Sequence, residues 1–242
     1  MIIRLDGSDV DGLSAADVGG KALGLARLAS LGLPVPPAVA VPSSERGRLA
    51  EDPADIADLL GEPLAVRSSA VAEDAADRSA AGQFDSVMGV RRNDLREAVA
   101  RVFRSATGER AVAYGGATAS PMAVVIQRQI EATRAGVAFS RDPMTGGDEV
   151  VVECVFGHGE RVVSGAEEPD RYVVGPDRKV RARMAERTGP FRTLRTLRDD
   201  EAALIAELTG RAEDGFGRPV DVEFCFDGPS LWLVQARPIT TL

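Results

Sequence analysis

The sequence predicts an α+β fold. Strand-like runs outnumber helical patterns, and hairpin pairs are mixed with helices along the chain. Hydrophobic residues make up 44% of the 242 positions, enough for a substantial core in one large domain or two small lobes.

Taken in order, Gly19-Gly20-Lys21 opens a helical pattern in which Leu23, Ala26, Leu28 and Leu31 recur at helical spacing before Gly32 stops it. Pro34-Val35-Pro36-Pro37 breaks the chain ahead of a short strand over 38–41. Residues 43–62 are polar, with a short helical pattern over 54–60. Leu64-Ala65-Val66 reads as a strand that delivers Arg67-Ser68-Ser69, and a small-residue acidic loop over 73–82 leads to a strand over 84–90. Asn93 or Asp94 caps a helix to about Arg104. Apolar strands follow over 122–127, 136–140 and 150–155, then a turn at Gly157-His158-Gly159-Glu160 and a hairpin pair over 172–174 and 180–184. Asp199 or Asp200 caps a helix with Ala203, Leu204, Ile205 and Leu208 on its apolar side, ending near Gly215. The chain closes on two strands, 220–226 and 231–238, joined at Asp227-Gly228-Pro229-Ser230, where Asp-Gly between apolar runs is a strong hairpin signal. There is no internal repeat and no low-complexity tract.

Composition excludes some functions. The 29 basic and 37 acidic residues leave a net charge of −8, which argues against non-specific nucleic-acid binding. Aromatics at 5% give no stacking platform for single strands. Cys154 and Cys225 both fall in apolar runs and read as buried thiols, without metal-ligand spacing. The N-terminus lacks a signal-peptide pattern and no apolar run is long enough to span a membrane, so a soluble cytoplasmic protein is expected.

Four stretches carry chemistry. In the final hairpin, alternation puts Asp221, Glu223 and Cys225 on one face of the first strand, and Leu231, Leu233, Gln235 and Arg237 on one face of the second. A carboxylate beside an amide oxygen suits Mg²⁺, which takes its remaining ligands from water and phosphate, and a neighbouring arginine suits a phosphoryl group. On these residues alone the plainer reading, an exposed polar face, is favoured. Gly19-Gly20-Lys21 at a helix start suits phosphate, although Ala22 stands where a P-loop has Ser or Thr. Arg67-Ser68-Ser69 offers one charge and two hydroxyls, or else a turn with a surface arginine. Gly157-His158-Gly159 fails the dinucleotide fingerprint because Val162 replaces its third glycine. His158 is the only histidine, and its place in a glycine turn favours a hydrogen-bonding role over catalysis.

Together these segments resemble the nucleotide-binding domain of the phosphoenolpyruvate synthase, pyruvate phosphate dikinase and rifampicin phosphotransferase family. Six stretches match in order: Val18-Gly19-Gly20-Lys21 with Gly32-Leu33-Pro34-Val35-Pro36-Pro37; Val66-Arg67-Ser68-Ser69-Ala70 before Glu73-Asp74; Ala81-Gly82-Gln83; Phe139-Ser140-Arg141-Asp142-Pro143 with Thr145-Gly146; Gly157-His158-Gly159-Glu160 with Val163-Ser164-Gly165 and Pro169-Asp170; and Asp221-Val222-Glu223 with Gln235-Ala236-Arg237-Pro238. The resemblance runs from Val18 to Pro238 and reverses the plain reading of the hairpin.

It implies an ATP-grasp-like α+β domain over 1–242, with lobes near 1–117 and 118–242, mixed or antiparallel sheets, and ATP in the cleft between them. It also implies roles. Lys21 and Arg67 contact the ATP phosphates, Gly82 and Ser86 lie in a phosphate-covering loop, and Gln127 sits at the adenine hinge. Glu223 and Gln235 hold Mg²⁺, and Arg237 stabilises the transferring phosphoryl group, making Arg237, Lys21 and Arg67 the catalytic set. The family passes a phosphoryl group from ATP to a histidine on a mobile domain and then to substrate. That histidine domain and a pyruvate-binding barrel have no counterpart here, His158 does not match the acceptor, and residues 43–62 are shorter than the family's helical insert. The expectation is a stand-alone ATP-dependent phosphotransferase subunit acting on a histidine of a separate protein or on a small molecule. A non-catalytic nucleotide-binding regulatory module is the alternative, and an ATP-grasp ligase a third reading that lacks a recognisable acyl-phosphate acceptor.

Overall fold

Ala38–Val41, Leu64–Ala70 and Met122–Arg128 are runs of apolar and small residues, the pattern of strands covered on both faces. In the computed structural model, which describes residues 1–45, 48–70, 86–105, 122–157, 168–186 and 193–239, they form the centre of a five-stranded antiparallel sheet. Its strands are β1 (Ile3–Arg4), β2 (Ala38–Val41), β3 (Leu64–Ala70), β4 (Ser86–Val90) and β5 (Met122–Arg128), in the order β1-β2-β5-β3-β4. Val39, Val66, Val124 and Ile126 bury one face of this sheet against α2 (Pro53–Leu60) and α3 (Leu95–Ser105). Asp52 caps α2, its Oδ1 accepting from Ala54 N at 2.9 Å, and Pro53 takes the first helical position, where its missing N–H costs nothing. The opposite face carries Ala38, Ala40 and Val125, which pack against Val18, Ala22, Leu25 and Ala26 of α1 (Ala15–Ser30).

The second sheet has six antiparallel strands: β6 (Arg134–Phe139), β7 (Val150–Phe156), β8 (Asp170–Val174), β9 (Val180–Arg183), β10 (Val220–Asp227) and β11 (Ser230–Pro238), in the order β11-β10-β6-β7-β8-β9. Helix α4 (Asp199–Phe216) lies against β6, β7, β8 and β10, burying Ala202, Ile205, Leu208 and Ala212. Gly136 lets the sheet close here, since a Cβ would fall 1.9 Å from the Glu153 carbonyl and 2.8 Å from the Phe224 ring. Arg134 reaches from β6 to grip Glu201 of α4 with both terminal nitrogens, at 2.8 and 3.0 Å, while its guanidinium lies 4.2 Å from the Phe226 ring centre. Burial alone pushes the Glu201 carboxyl up, but the hydrogen bonds from Arg134 and from the Arg198 N–H outweigh it and hold the group below its ordinary value. Asp170, fully buried, accepts from Ala185 N and Thr196 N, both at 2.8 Å.

The described chain divides into two units, one of Met1–Ser30 with Val35–Gln129, the other of Leu31–Pro34 with Ile130–Leu242. The expected lobe boundary near 117 falls outside the described residues. Three expectations are corrected. On α4, Leu204 is 45% exposed, and Ala202 and Ala206 take the buried positions instead, because Ile205 rather than Leu204 sets the inward stripe. The helix begins at Asp199 with Arg198 as its cap, whose N–H donates to Glu201 Oε2 at 2.9 Å, so neither Asp199 nor Asp200 is the cap. On β11, Leu231 and Leu233 do not share a face with Gln235 and Arg237. A bulge after Glu223 pairs Phe224 with Leu233, which turns the leucines onto the buried side. Cys154 and Cys225 are free and buried, and burial pushes both thiols up to about 12. Among the described residues no helix is long and apolar enough to cross a membrane.

Candidate active site

One set of candidate residues is built on α1 and β3. Ser14 starts the helix, accepting from Asp17 N at 3.3 Å and donating to Asp17 Oδ2 at 2.5 Å. One turn later Gly19 takes φ 75° and ψ 168°, a region essentially confined to glycine, and the helix restarts at Gly20-Lys21. The sequence places a helix start at this glycine pair; the structure makes it a restart. The missing Cβ of Gly19 also admits β3, since a Cβ there would lie 2.0 Å from the Ser69 carbonyl oxygen. Ser69 Oγ then accepts from Ala22 N at 3.1 Å.

Register decides which side chains share this face. Arg67 of β3 stands opposite Ser86 of β4 and Val125 of β5. Gln127, two residues past Val125, stands opposite Ala65 and Ala38. Arg67, Ser69, Ser86 and Gln127 therefore share the face covered by α1, the helix that bears Lys21. Arg67 is a mid-strand residue, not a surface arginine in a turn. The reading of two phosphate-binding hydroxyls is also corrected: Ser68 is opposite Val124 on the other face and Ser69 is committed to Ala22. Gly82 and His158 lie outside the described residues.

Gln127 is 3% exposed, and its Nε2 has no hydrogen-bond partner among the described residues. A buried amide donor left unmade costs about 1–3 kcal/mol. Such a donor, on a face that also carries Arg67 and Ser86, fits a ligand with a hydrogen-bond acceptor, as a purine base has.

A separate set of candidate residues lies on the final hairpin of the second unit. Glu223 pairs directly with Gln235, and Asp221 with Arg237, so all four project from one face. Arg237 Nε donates to Asp221 Oδ1 at 3.0 Å and Oδ2 at 2.8 Å. The sequence reading assigns Asp221 no role, although its alternation with Glu223 already puts it on this face. The same face continues through Val137 of β6 to Glu153 of β7 and Arg171 of β8. Among the described residues no group of three or more His, Cys, Asp or Glu side chains is arranged to hold a metal. Glu223 and Gln235 offer two hard oxygen ligands instead, which suits Mg²⁺ completed by phosphate and water. A shallow hollow of about 420 Å³ at the start of α4 is lined by Arg134, Arg195, Arg198 and Glu201. It belongs to the opposite face, since Arg134 pairs with Phe226, and Arg134, Arg195 and Arg198 are matched to Glu201, Asp199 and Asp200.

Comparison with known proteins identifies the family and the fold. A probable phosphoenolpyruvate synthase from Methanothermobacter thermautotrophicus is 34% identical over 203 residues, covering 74% of this chain and 30% of that protein. A rifampicin phosphotransferase from a Streptomyces species is 36% identical over 202 residues, covering 74% and 23%. The prodigiosin synthesizing transferase PigC of Serratia marcescens is 30% identical over 299 residues, covering 100% and 33%; that alignment is longer than the chain, so PigC carries segments with no counterpart here. The chain thus spans about a third or less of the length of these relatives. Among solved structures, a Pyrococcus horikoshii Ot3 protein superposes with a TM-score of 0.54 at 12% identity, covering 97% of each chain. D-alanine–D-alanine ligase of Bacillus anthracis does so at 0.50 and 11%, covering 91% of this chain and 56% of the ligase. Those likenesses show an ATP-grasp-like α+β fold. Residues 49–242 match the AMP/ATP-binding domain of pyruvate phosphate dikinase, and with β3, β5 and the final hairpin all inside that match, the chain belongs to this family of nucleotide-binding domains.

Proposed function

We propose that this chain binds Mg-ATP and serves as the nucleotide-binding part of an ATP-dependent phosphotransferase. The observation that carries the reading is the register of the last hairpin, which sets the metal ligand pair Glu223–Gln235 beside the ion pair Asp221–Arg237. Phosphoryl transfer needs positioning and positive charge rather than a strong base, and this set provides both. Lys21 and Arg67 offset the phosphate charge, and Ser86, which stands opposite Arg67 in β4 rather than in a loop, adds a hydroxyl on the same face. Gln127 donates to the base. Glu223 and Gln235 hold Mg²⁺, and Arg237, oriented by Asp221, stabilises charge on the group in transit. ATP supplies the phosphoryl group, and Mg²⁺ neutralises its oxygens. The acceptor is a histidine on a separate protein or a small molecule, and the relative named rifampicin phosphotransferase supports a small-molecule acceptor.

Calorimetry of the chain with ATP, with and without Mg²⁺, tests the binding. Tight binding that requires the metal is expected, and absence of binding sinks the reading. The nucleotide product then separates the routes: AMP with phosphate marks a dikinase, ADP a simple kinase. Binding with no turnover towards any acceptor favours a regulatory module instead.

A further inference from the structure

We propose that Ser69 is a positioning residue for Lys21, capping from a neighbouring strand the helix that carries it. The inference rests on the reading of Lys21 as a phosphate ligand. An α-helix begins with N–H groups that have no partner within the helix, and a side chain at the capping position ordinarily accepts from the second or third helical residue. Here the helix restarts after Gly19, whose φ of 75° and ψ of 168° exclude a side-chain-bearing residue. The capping position is thus held by a residue with nothing to cap with. The third residue of the restarted helix is Ala22, and its N–H is taken by Ser69 Oγ at 3.1 Å, forty-seven residues away in sequence.

Burial makes this bond decisive. Ser69 and Ala22 are both fully buried, so water has no access to replace the hydroxyl. Gly19 is what allows the approach, because any Cβ would collide with the Ser69 carbonyl. Lys21 is the residue immediately before the capped amide, so the bond fixes where the first restarted turn begins. Ser69 also lies two residues beyond Arg67 on the same face of β3. One strand therefore carries the arginine and, through Ser69, seats the turn that bears the lysine.

The test uses Ser69→Ala, Lys21→Met and Arg67→Met in the full chain, singly and in pairs, with Mg-ATP affinity from calorimetry and exchange of the Ala22 amide from NMR. Ser69→Ala should weaken binding about five- to thirty-fold, the span of one lost cap. Combined with Lys21→Met it should cost no more than Lys21→Met alone, whereas with Arg67→Met the losses should add. Ala22 amide exchange should accelerate. Additive losses with Lys21→Met, or equal coupling to both cations as general damage would give, would overturn the proposal. Ser69→Cys keeps the size but is a poor acceptor, so it covers the case in which the alanine variant does not fold. It should show the same loss coupled to Lys21, and wild-type affinity in that variant would also overturn the proposal. If the wild-type chain does not bind Mg-ATP, the functional reading falls and the positioning role with it, while Ala22 exchange still reports whether the cap itself exists.

Discussion

Arg237 faces Asp221 across the β10–β11 ladder, and its Nε is held by both carboxylate oxygens at 3.0 and 2.8 Å. An arginine tethered in this way is pre-set rather than recruited, which is how a donor stabilises charge without reorganising. Arg237→Ala should bind Mg-ATP nearly as well as wild type but lose on the order of 10²–10³ in turnover. Asp221→Asn, which keeps shape and loses charge, should fall between the two in rate. Parallel calorimetry and turnover assays check both.

Glu223 should act through the metal. Glu223→Ala is expected to lose Mg²⁺-dependent nucleotide binding as well as rate, with part of the loss recovered at raised Mg²⁺. A variant that binds and turns over like wild type would reduce the hairpin to scaffold.

Gln127 carries an opposite pair of effects. Its buried Nε2 lacks a partner among the described residues, so Gln127→Met should stabilise the free protein by about 1–3 kcal/mol while weakening ATP binding. Denaturant unfolding without ligand and calorimetry with it measure the two signs.

The α4 anchor predicts acid sensitivity. The Glu201 carboxyl is held below its ordinary value of 4.5, so its stabilising contribution is complete above that value and is lost as pH falls through the depressed one. Glu201→Gln should cost on the order of 3 kcal/mol at neutral pH, with the gap to wild type closing in acid. Urea melts across pH 3–7 read the convergence.

Cys154 and Cys225, pushed up to about 12 by burial, should resist a thiol reagent at pH 8 until denaturant is added. Prompt modification of the native chain would contradict their burial.

What was legible in the sequence followed from period. Alternation along Asp221-Val222-Glu223 and Gln235-Ala236-Arg237 placed the polar residues on one face, because a strand repeats every two residues. The bulge after Glu223 was not legible, as one extra residue leaves no compositional mark yet turns Leu231 and Leu233 to the other side. The unmatched Gln127 amide and the Ser69–Ala22 bond depend on what folds against each residue, and a single chain pattern does not encode contacts between α1, β3 and β5. Leu204 shows the reverse error, an apolar residue that helical geometry simply leaves outside.

Asp170 has a consequence for how this chain tolerates change. Its Oδ1 takes the Ala185 amide and its Oδ2 the Thr196 amide, so one side chain of β8 ties down two points of the chain between β9 and α4. Those two amides stay fixed whatever is inserted between them, and each doubling of an inserted flexible linker adds only about 0.6 kcal/mol of closure entropy. A tag, a linker or a whole inserted domain placed between those two amides would be carried by the carboxylate rather than by the β8–β9 pairing, which makes this a place to splice the protein while leaving the candidate site residues in sequence.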